Sequence, residues 1–296
     1  LTFRRDVLQP FLDRYLKDNP KPGAAQPPVL AYQTGTNRWQ RYDRWPQSCS
    51  ADCPNVSRKL YLEPGFGLGW SRPSEGSASS ASSATLPSSS PAADTYVSDP
   101  AKPVPYRQRP ARPMWAEDST WSEWLVDDQR FASDRTDVLV YVSDVLAAPL
   151  AVAGNPVANL FASTTGTDAD WVVKLIDLYP DEVPTQPELG GYQLAVSMEI
   201  LRGRYRESFE KPSPIPADSI ERYRWTLPAV HHVFAPGHRV MVQIQSTWFP
   251  LYDRNPQTWV DNIFFAQPAD YRAATQSVFR SGDTASFVEL PVVGVE

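Results

Sequence analysis

The sequence predicts a mainly β fold, a jelly-roll β-sandwich preceded by one amphipathic helix, and three observations carry that reading. Short alternating segments recur along the chain. Turns bearing Pro and Gly separate them, and only the amino end shows a strong helical period. The 30 prolines agree with this, because a helix interior does not accept a residue without an amide hydrogen.

Taken in order, Phe3 to Lys17 places Val7, Leu8, Phe11, Leu12, Tyr15 and Leu16 on one helical face. Pro10 predicts that the regular helix begins near Gln9, with proline in its first turn, and Asn19-Pro20 ends it. An isolated helix of this length is marginal in water, so its apolar stripe requires something to pack on. A Pro-rich connector from Pro20 to Pro28 leads into a hairpin, Val29 to Tyr42, turning at Thr34-Gly35-Thr36-Asn37. Lys59 to Leu62 reads as a strand closed by Pro64-Gly65. Ser71 to Ala93 is Ser/Ala/Pro-rich with almost nothing to bury. It is predicted to be a disordered surface loop inside the β domain, since the strand pattern resumes at Tyr96 and Val97. Residues 1–20 therefore form the helical unit and 21–296 the sandwich, with the loop at 71–93.

Further strands are expected at Val138 to Val142, Leu150 to Val152, Val157 to Ser163, Tyr192 to Arg202, Arg222 to Leu227 and Ser286 to Val293. Around Trp171, Val173 and Leu175 alternate with Val172, Lys174 and Ile176. The clearest strand is Arg239 to Gln245, which follows the Pro236-Gly237 turn. There Val240, Val242 and Ile244 face one side and Met241, Gln243 and Gln245 the other, predicting a core face and a wetter one. Pro250 and Asn255-Pro256 close it.

At 296 residues the chain can bury roughly 75% of its unfolded surface without a staple. With 28 basic and 34 acidic residues its net charge is −6, and no Lys/Arg cluster offsets it. Nucleic acid is therefore not an expected partner. No apolar run reaches the ~18 to 20 residues that span a bilayer, so no membrane partner is expected either. The chain opens at Leu1, directly in a helical pattern and without a signal peptide, as a processed, cloned or truncated piece would. Cys49 and Cys53 have three residues between them in CSADCP, as either a disulfide or two free thiols. Pairing would close a loop worth about 2 kcal/mol before strain, and zinc lacks two further ligands at suitable spacing.

Chemistry-bearing motifs are sparse. There is no G-x-S-x-G elbow, no phosphate loop, no H-E-x-x-H and no G-x-G-x-x-G opening a helix, so no cofactor or metal is expected. Of the three histidines, His231 and His232 face opposite ways if extended, and His238 in PGHR reads as a turn-positioning residue. Asp168, Asp170 and Asp177 suggest either a carboxylate pair or turn-capping groups. Trp115, Trp121 and Trp124 suggest either a carbohydrate or aromatic-ligand platform or core and interface anchors.

Several stretches together carry a family resemblance: FRRDVLQPFLDRYLKD (3–18), RWPQSCSADC (44–53), YVSDPAKPVPY (96–106), STWSEWLVDDQRF (119–131), DWVVKLIDLYPD (170–181), GRYRESF (203–209) and PGHRVMVQIQSTWFPLYDRNPQT (236–258). The chain resembles the carboxyl-terminal part of the α-amino acid ester hydrolases, in the X-Pro dipeptidyl-peptidase and cocaine-esterase-like group, over nearly its whole length. The resemblance implies a three-part enzyme with an α/β-hydrolase domain, a helical cap and a jelly roll, of which the amino-terminal helix is the last hydrolase-domain element. It places the Ser, Asp and His triad upstream of Leu1, so no residue here is assigned a catalytic role. The implied partners are the hydrolase and cap domains and, through them, a small α-amino acid ester or β-lactam substrate. Trp115 and Trp121 become substrate-entrance candidates, and Arg254 and Asn255 domain-interface or turn-fixing candidates. A periplasmic or secreted location is implied, in agreement with a Cys49–Cys53 pair. A stand-alone ligand-binding module and a homo-oligomeric structural domain are the rival expectations.

Overall fold

The structure, a computed structural model, describes residues 2–17, 27–45, 56–74, 92–110 and 112–294. Cys49, Cys53, most of the low-complexity loop and most of the Pro-rich connector lie outside the described residues. The helix α1 spans Gln9–Leu16 and continues a π-helical turn, Arg4–Leu8, without a break. The regular α-helix thus begins at Gln9, as Pro10 suggests, with the π-helical turn added in front of it. Proline has no N–H to give, and immediately before it the ladder widens so that Gln9 N–H bonds Arg4 O five residues back.

Fifteen strands follow among the described residues: β1 (Val29–Gln33), β2 (Arg38–Tyr42), β3 (Val56–Glu63), β4 (Gly67–Gly69), β5 (Ala93–Ser98), β6 (Leu139–Ser143), β7 (Leu150–Gly154), β8 (Val157–Thr164), β9 (Asp170–Leu178), β10 (Gln193–Arg202), β11 (Glu221–Thr226), β12 (Val230–Phe234), β13 (Arg239–Gln245), β14 (Ala274–Phe279) and β15 (Phe287–Val293). A short helix α2 (Arg130–Ser133) precedes β6. Strands β4, β12 and β14 have no counterpart among the expected ones, because each is short or lacks clean alternation.

One hydrogen-bonded path runs β10-β9-β13-β6-β4-β3-β15-β8-β14-β5, with β11 on β8 and β7 joining β12 to β15. All of its pairs are antiparallel except β4 with β6. The path folds over on itself as a sandwich. Trp171 of β9 meets Tyr223 of β11 with ring centroids 5.3 Å apart, both fully buried. At the far end Tyr141 of β6 donates to Asp94 of β5 at 2.8 Å. Leu60, Leu160, Leu175, Phe234, Val242, Ile244 and Val288 complete the core.

The expected wet face of β13 is not wet, and every residue from Val240 to Gln245 is buried. The reason is a covering layer: segments within 104–110 and 112–138 lie across this side with their own small core of Val104, Ala132 and Val138. Gln243 survives burial by donating to Gln193 Oε1 at 3.1 Å, and Gln245 by donating to Thr247 O at 2.7 Å.

The hairpin β1–β2 pairs Gln33 with Arg38 around the expected turn. Gly35 holds φ +86, and a Cβ there would sit 2.0 Å from Val233 O. Gly35→Ala is therefore expected to cost at least about 1–2 kcal/mol and to loosen the hairpin from β12. The readout is hydrogen exchange at Thr34 and Val233, whose amides bond His231 O and Thr34 O at 3.0 Å each. Unchanged protection would contradict the role given to this glycine.

Candidate functional site

The feature that asks for a partner is the amino-terminal face. No residue of α1 is buried, and Phe11, Leu12, Tyr15 and Leu16 all stand exposed along the stripe. The stripe continues onto the hairpin. Phe3 stacks on Trp39 at 6.0 Å and Tyr32 meets Trp39 edge-on at 5.2 Å, with all three rings exposed.

A polar latch fixes that hairpin to the sandwich. Thr34 Oγ1 lies 2.8 Å from His232 Nδ1, His232 Nε2 lies 3.2 Å from Asp177 Oδ2, and His238 Nδ1 takes the other Asp177 oxygen at 2.8 Å. Burial works against the charged Asp177, but the hydrogen bonds from the two imidazoles outweigh it and hold the carboxyl below its usual range. His231 faces the other way, with Tyr42 Oη and Gln33 Nε2 at 3.1 and 3.2 Å, and burial lowers its pKa. The opposite orientation expected for His231 and His232 is found. His238 does more than position its turn, since it shares Asp177 with His232. The Thr34–His232–Asp177 order looks like a catalytic relay. Its chemistry is structural: Thr34 is also tied by hydroxyl and amide to His231 O, and no described serine bonds a histidine.

The three aspartates are neither a catalytic pair nor turn caps. They lie along or beside β9, each against a different partner. Asp168, fully buried, takes Arg204 Nε and Nη2 on one oxygen at 2.8 and 2.6 Å. Burial still outweighs Arg204 and leaves Asp168 above its ordinary range. Asp170 accepts from Asn255 Nδ2 at 2.8 Å, and burial pushes it up to about 7. Asn255 is 1% exposed and its Oδ1 accepts from Gln257 N at 2.8 Å, so it fixes a turn and presents nothing to another domain. Arg254 is exposed. It donates to Pro100 O at 3.0 Å, with its guanidinium 5.6 Å from the Phe249 ring and 5.3 Å from Tyr271.

The tryptophans are not core anchors. Trp115 is 85% exposed and Trp121 is also exposed, in a 3-10 turn with no buried residue. Trp121 and Trp124 lie 6.2 Å apart at a 34° tilt. The turn is held by Tyr192 Oη on Val126 O and by Arg107 on Thr120 and Asp127. One buried group had no role assigned from sequence. Lys174 of β9 is 0% exposed, donates to Gln129 Oε1 at 2.9 Å, and is pushed by burial down to about 7. The signal was present, a lysine inside the apolar alternation of WVVKLIDL. Among the described residues no group of three or more His, Cys, Asp or Glu side chains is arranged to hold a metal.

Residues 22–289 match the family described as the X-Pro dipeptidyl-peptidase C-terminal non-catalytic domain. The chain is 32% identical to the cocaine esterase of Rhodococcus sp. (strain MB1 Bresler) over 96% of its own length and 45% of that protein. Two solved structures superpose closely. An aminopeptidase from the marine sediment archaeon Thaumarchaeota archaeon gives a TM-score of 0.87 at 54% identity, over 99% of this chain and 44% of the other. An α-amino acid ester hydrolase gives 0.88 at 49% identity, over 98% and 45%. The chain thus spans a little under half the length of each of these relatives.

Proposed function

Because this chain belongs to the X-Pro dipeptidyl-peptidase C-terminal non-catalytic domain family, we propose that it is the β-sandwich portion of a serine hydrolase or acyltransferase acting on α-amino acid esters and α-amino-acyl β-lactams. In this reading the nucleophile, its base and the oxyanion donors stand on an α/β-hydrolase domain with a helical cap, and acyl transfer passes through an acyl-serine. The observation that carries the reading is the exposed stripe of α1, continuous through Phe3 with Trp39 and Tyr32. A contiguous apolar face of this kind marks an interaction surface. The hairpin gives it rigid support, because the latch through Thr34, His232 and Asp177 ties the face to the sandwich. The catalytic domain packs there, Arg254 lies at the domain interface, and Trp115 and Trp121 wall the substrate entrance. The parent is secreted or periplasmic.

The purified 296-residue chain is expected to leave phenylglycine methyl ester untouched, at the uncatalysed rate. Turnover that persists through repeated purification and responds to a serine-directed phosphonate would overturn the reading. A second reading, a binding module, draws support from the exposure of Trp115 beside Trp121. Saturable fluorescence quenching by a glycan or aromatic amine, lost in Trp121→Ala, would favour it.

A further inference from the structure

An open cleft of about 390 Å³ lies where β10 ends, lined by Arg202, Arg204, Tyr205, Asp261, Asn262 and Phe264 among others. Its floor is built rather than incidental. Arg204 spends Nε and Nη2 on Asp168, and Nη2 also reaches Val260 O at 2.9 Å. Its guanidinium carbon stands 4.6 Å from the Trp259 ring centroid. That leaves a fixed fork whose Nη1 has no hydrogen-bond partner among the described residues. Arg202 spends Nη2 on Asp253 O at 3.3 Å, and its Nη1 is buried without a partner. An orphaned buried N–H is costly, and a guanidinium is shaped for a planar acceptor.

We propose that this cleft binds a small monocarboxylate with a flat apolar body, the carboxylate taken by Arg202 and Arg204 and the body by Tyr205 and Phe264. Charge accounting selects the class. Asp168 answers Arg204, whereas Arg202 is in no ion pair among the described residues. The carboxyl that Arg202 influences is Asp170, which is buried, committed to Asn255 and only partly ionised at neutral pH. One positive charge is therefore incompletely matched. Asp261 on the same lining opposes a second negative charge, which disfavours phosphate and dicarboxylates. Phe264 is 73% exposed and Tyr205 stacks on the exposed Phe209 at 6.4 Å, so aromatic faces are available to a ligand ring. The volume lies in the range of small-molecule sites. This site goes beyond the family assignment and does not depend on it.

The probe is para-fluorophenylacetate followed by fluorine NMR on the whole chain, with the neutral para-fluorophenylacetamide as its twin. The acid is expected to bind saturably and at least about tenfold more tightly than the amide. Arg202→Gln is expected to weaken it about tenfold, Phe264→Ala a few-fold, and Asp261→Asn to tighten it a few-fold. If a thermal melt shows that Arg202→Gln does not fold, the two exposed-site variants decide the matter. No saturation up to about 10 mM, equal binding of the amide, or weakening by Asp261→Asn would each overturn the proposal. The last result would mean that the carboxylate of Asp261 attracts the ligand instead of repelling it.

Discussion

Arg204→Met is expected to destabilise the fold by about 3–5 kcal/mol, among the largest effects available from one side chain. The substitution removes both hydrogen bonds to Asp168 and leaves that carboxylate fully buried with one remaining backbone donor, Ala169 N at 2.9 Å. Asp170, two residues on, adds repulsion. The cost should be pH-dependent with a definite sign. A carboxyl whose folded pKa is raised holds its proton in the native state while the unfolded chain is already charged. Stability therefore falls as pH rises from the ordinary value of 3.8 through the folded one. Without Arg204 the folded value rises further, so the deficit should narrow toward acid pH. Adding Asp168→Leu should recover most of the loss, because removing both charges of a buried pair is often neutral. Urea midpoints at constant slope measure all three chains. A single-variant cost below about 1 kcal/mol would show that this ion pair does not hold β9 to the 203–206 turn.

Lys174→Met is expected to act in the opposite direction, stabilising the protein by about 2–4 kcal/mol at pH 6. The amine has one hydrogen bond, to Gln129, and no carboxylate within ion-pair distance among the described residues. Folded, it titrates at about 7 in place of 10.5. Between those values the unfolded chain holds the extra proton, so wild-type stability should rise with pH through that window. Below pH 7 both states are protonated and the penalty is complete. In the methionine variant this part of the slope disappears. Orphaning Gln129 Oε1 returns about 1 kcal/mol of the gain. Comparing the two chains from pH 6 to 9.5 isolates Lys174, because every other titrating group, Asp170 at about 7 included, is common to both and cancels in the difference. Equal slopes, or a less stable variant at pH 6, would contradict the account.

Both effects involve residues whose sequence context pointed elsewhere. Asp168 and Asp170 sit among Gly, Thr and Asp, a turn-like composition, so turn capping was the natural expectation. Arg204, 36 positions away, changes the meaning of Asp168, and Asn255, 85 positions away, that of Asp170. For tryptophans 115, 121 and 124 area alone left a ligand platform, core and interface open, and the structure puts Trp115 and the Trp121–Val126 turn outside the core.

By itself the sequence determined the fold class, the single amphipathic helix, the hairpin turn at Thr34-Gly35-Thr36-Asn37 and most strands, because periodicity and turn chemistry act over a few residues. It also carried the family, through motifs spread along the chain. The tertiary structure alone decided that β13 is buried on both faces, that His232 and His238 share Asp177, that Lys174 is stripped of water and that Arg202 and Arg204 meet one cleft. Alternation says that a side chain points away from its neighbours. Whether it then meets water, a covering layer or a charge from a distant strand depends on how the sheet folds over itself, and that decides its pKa, its energy and its use.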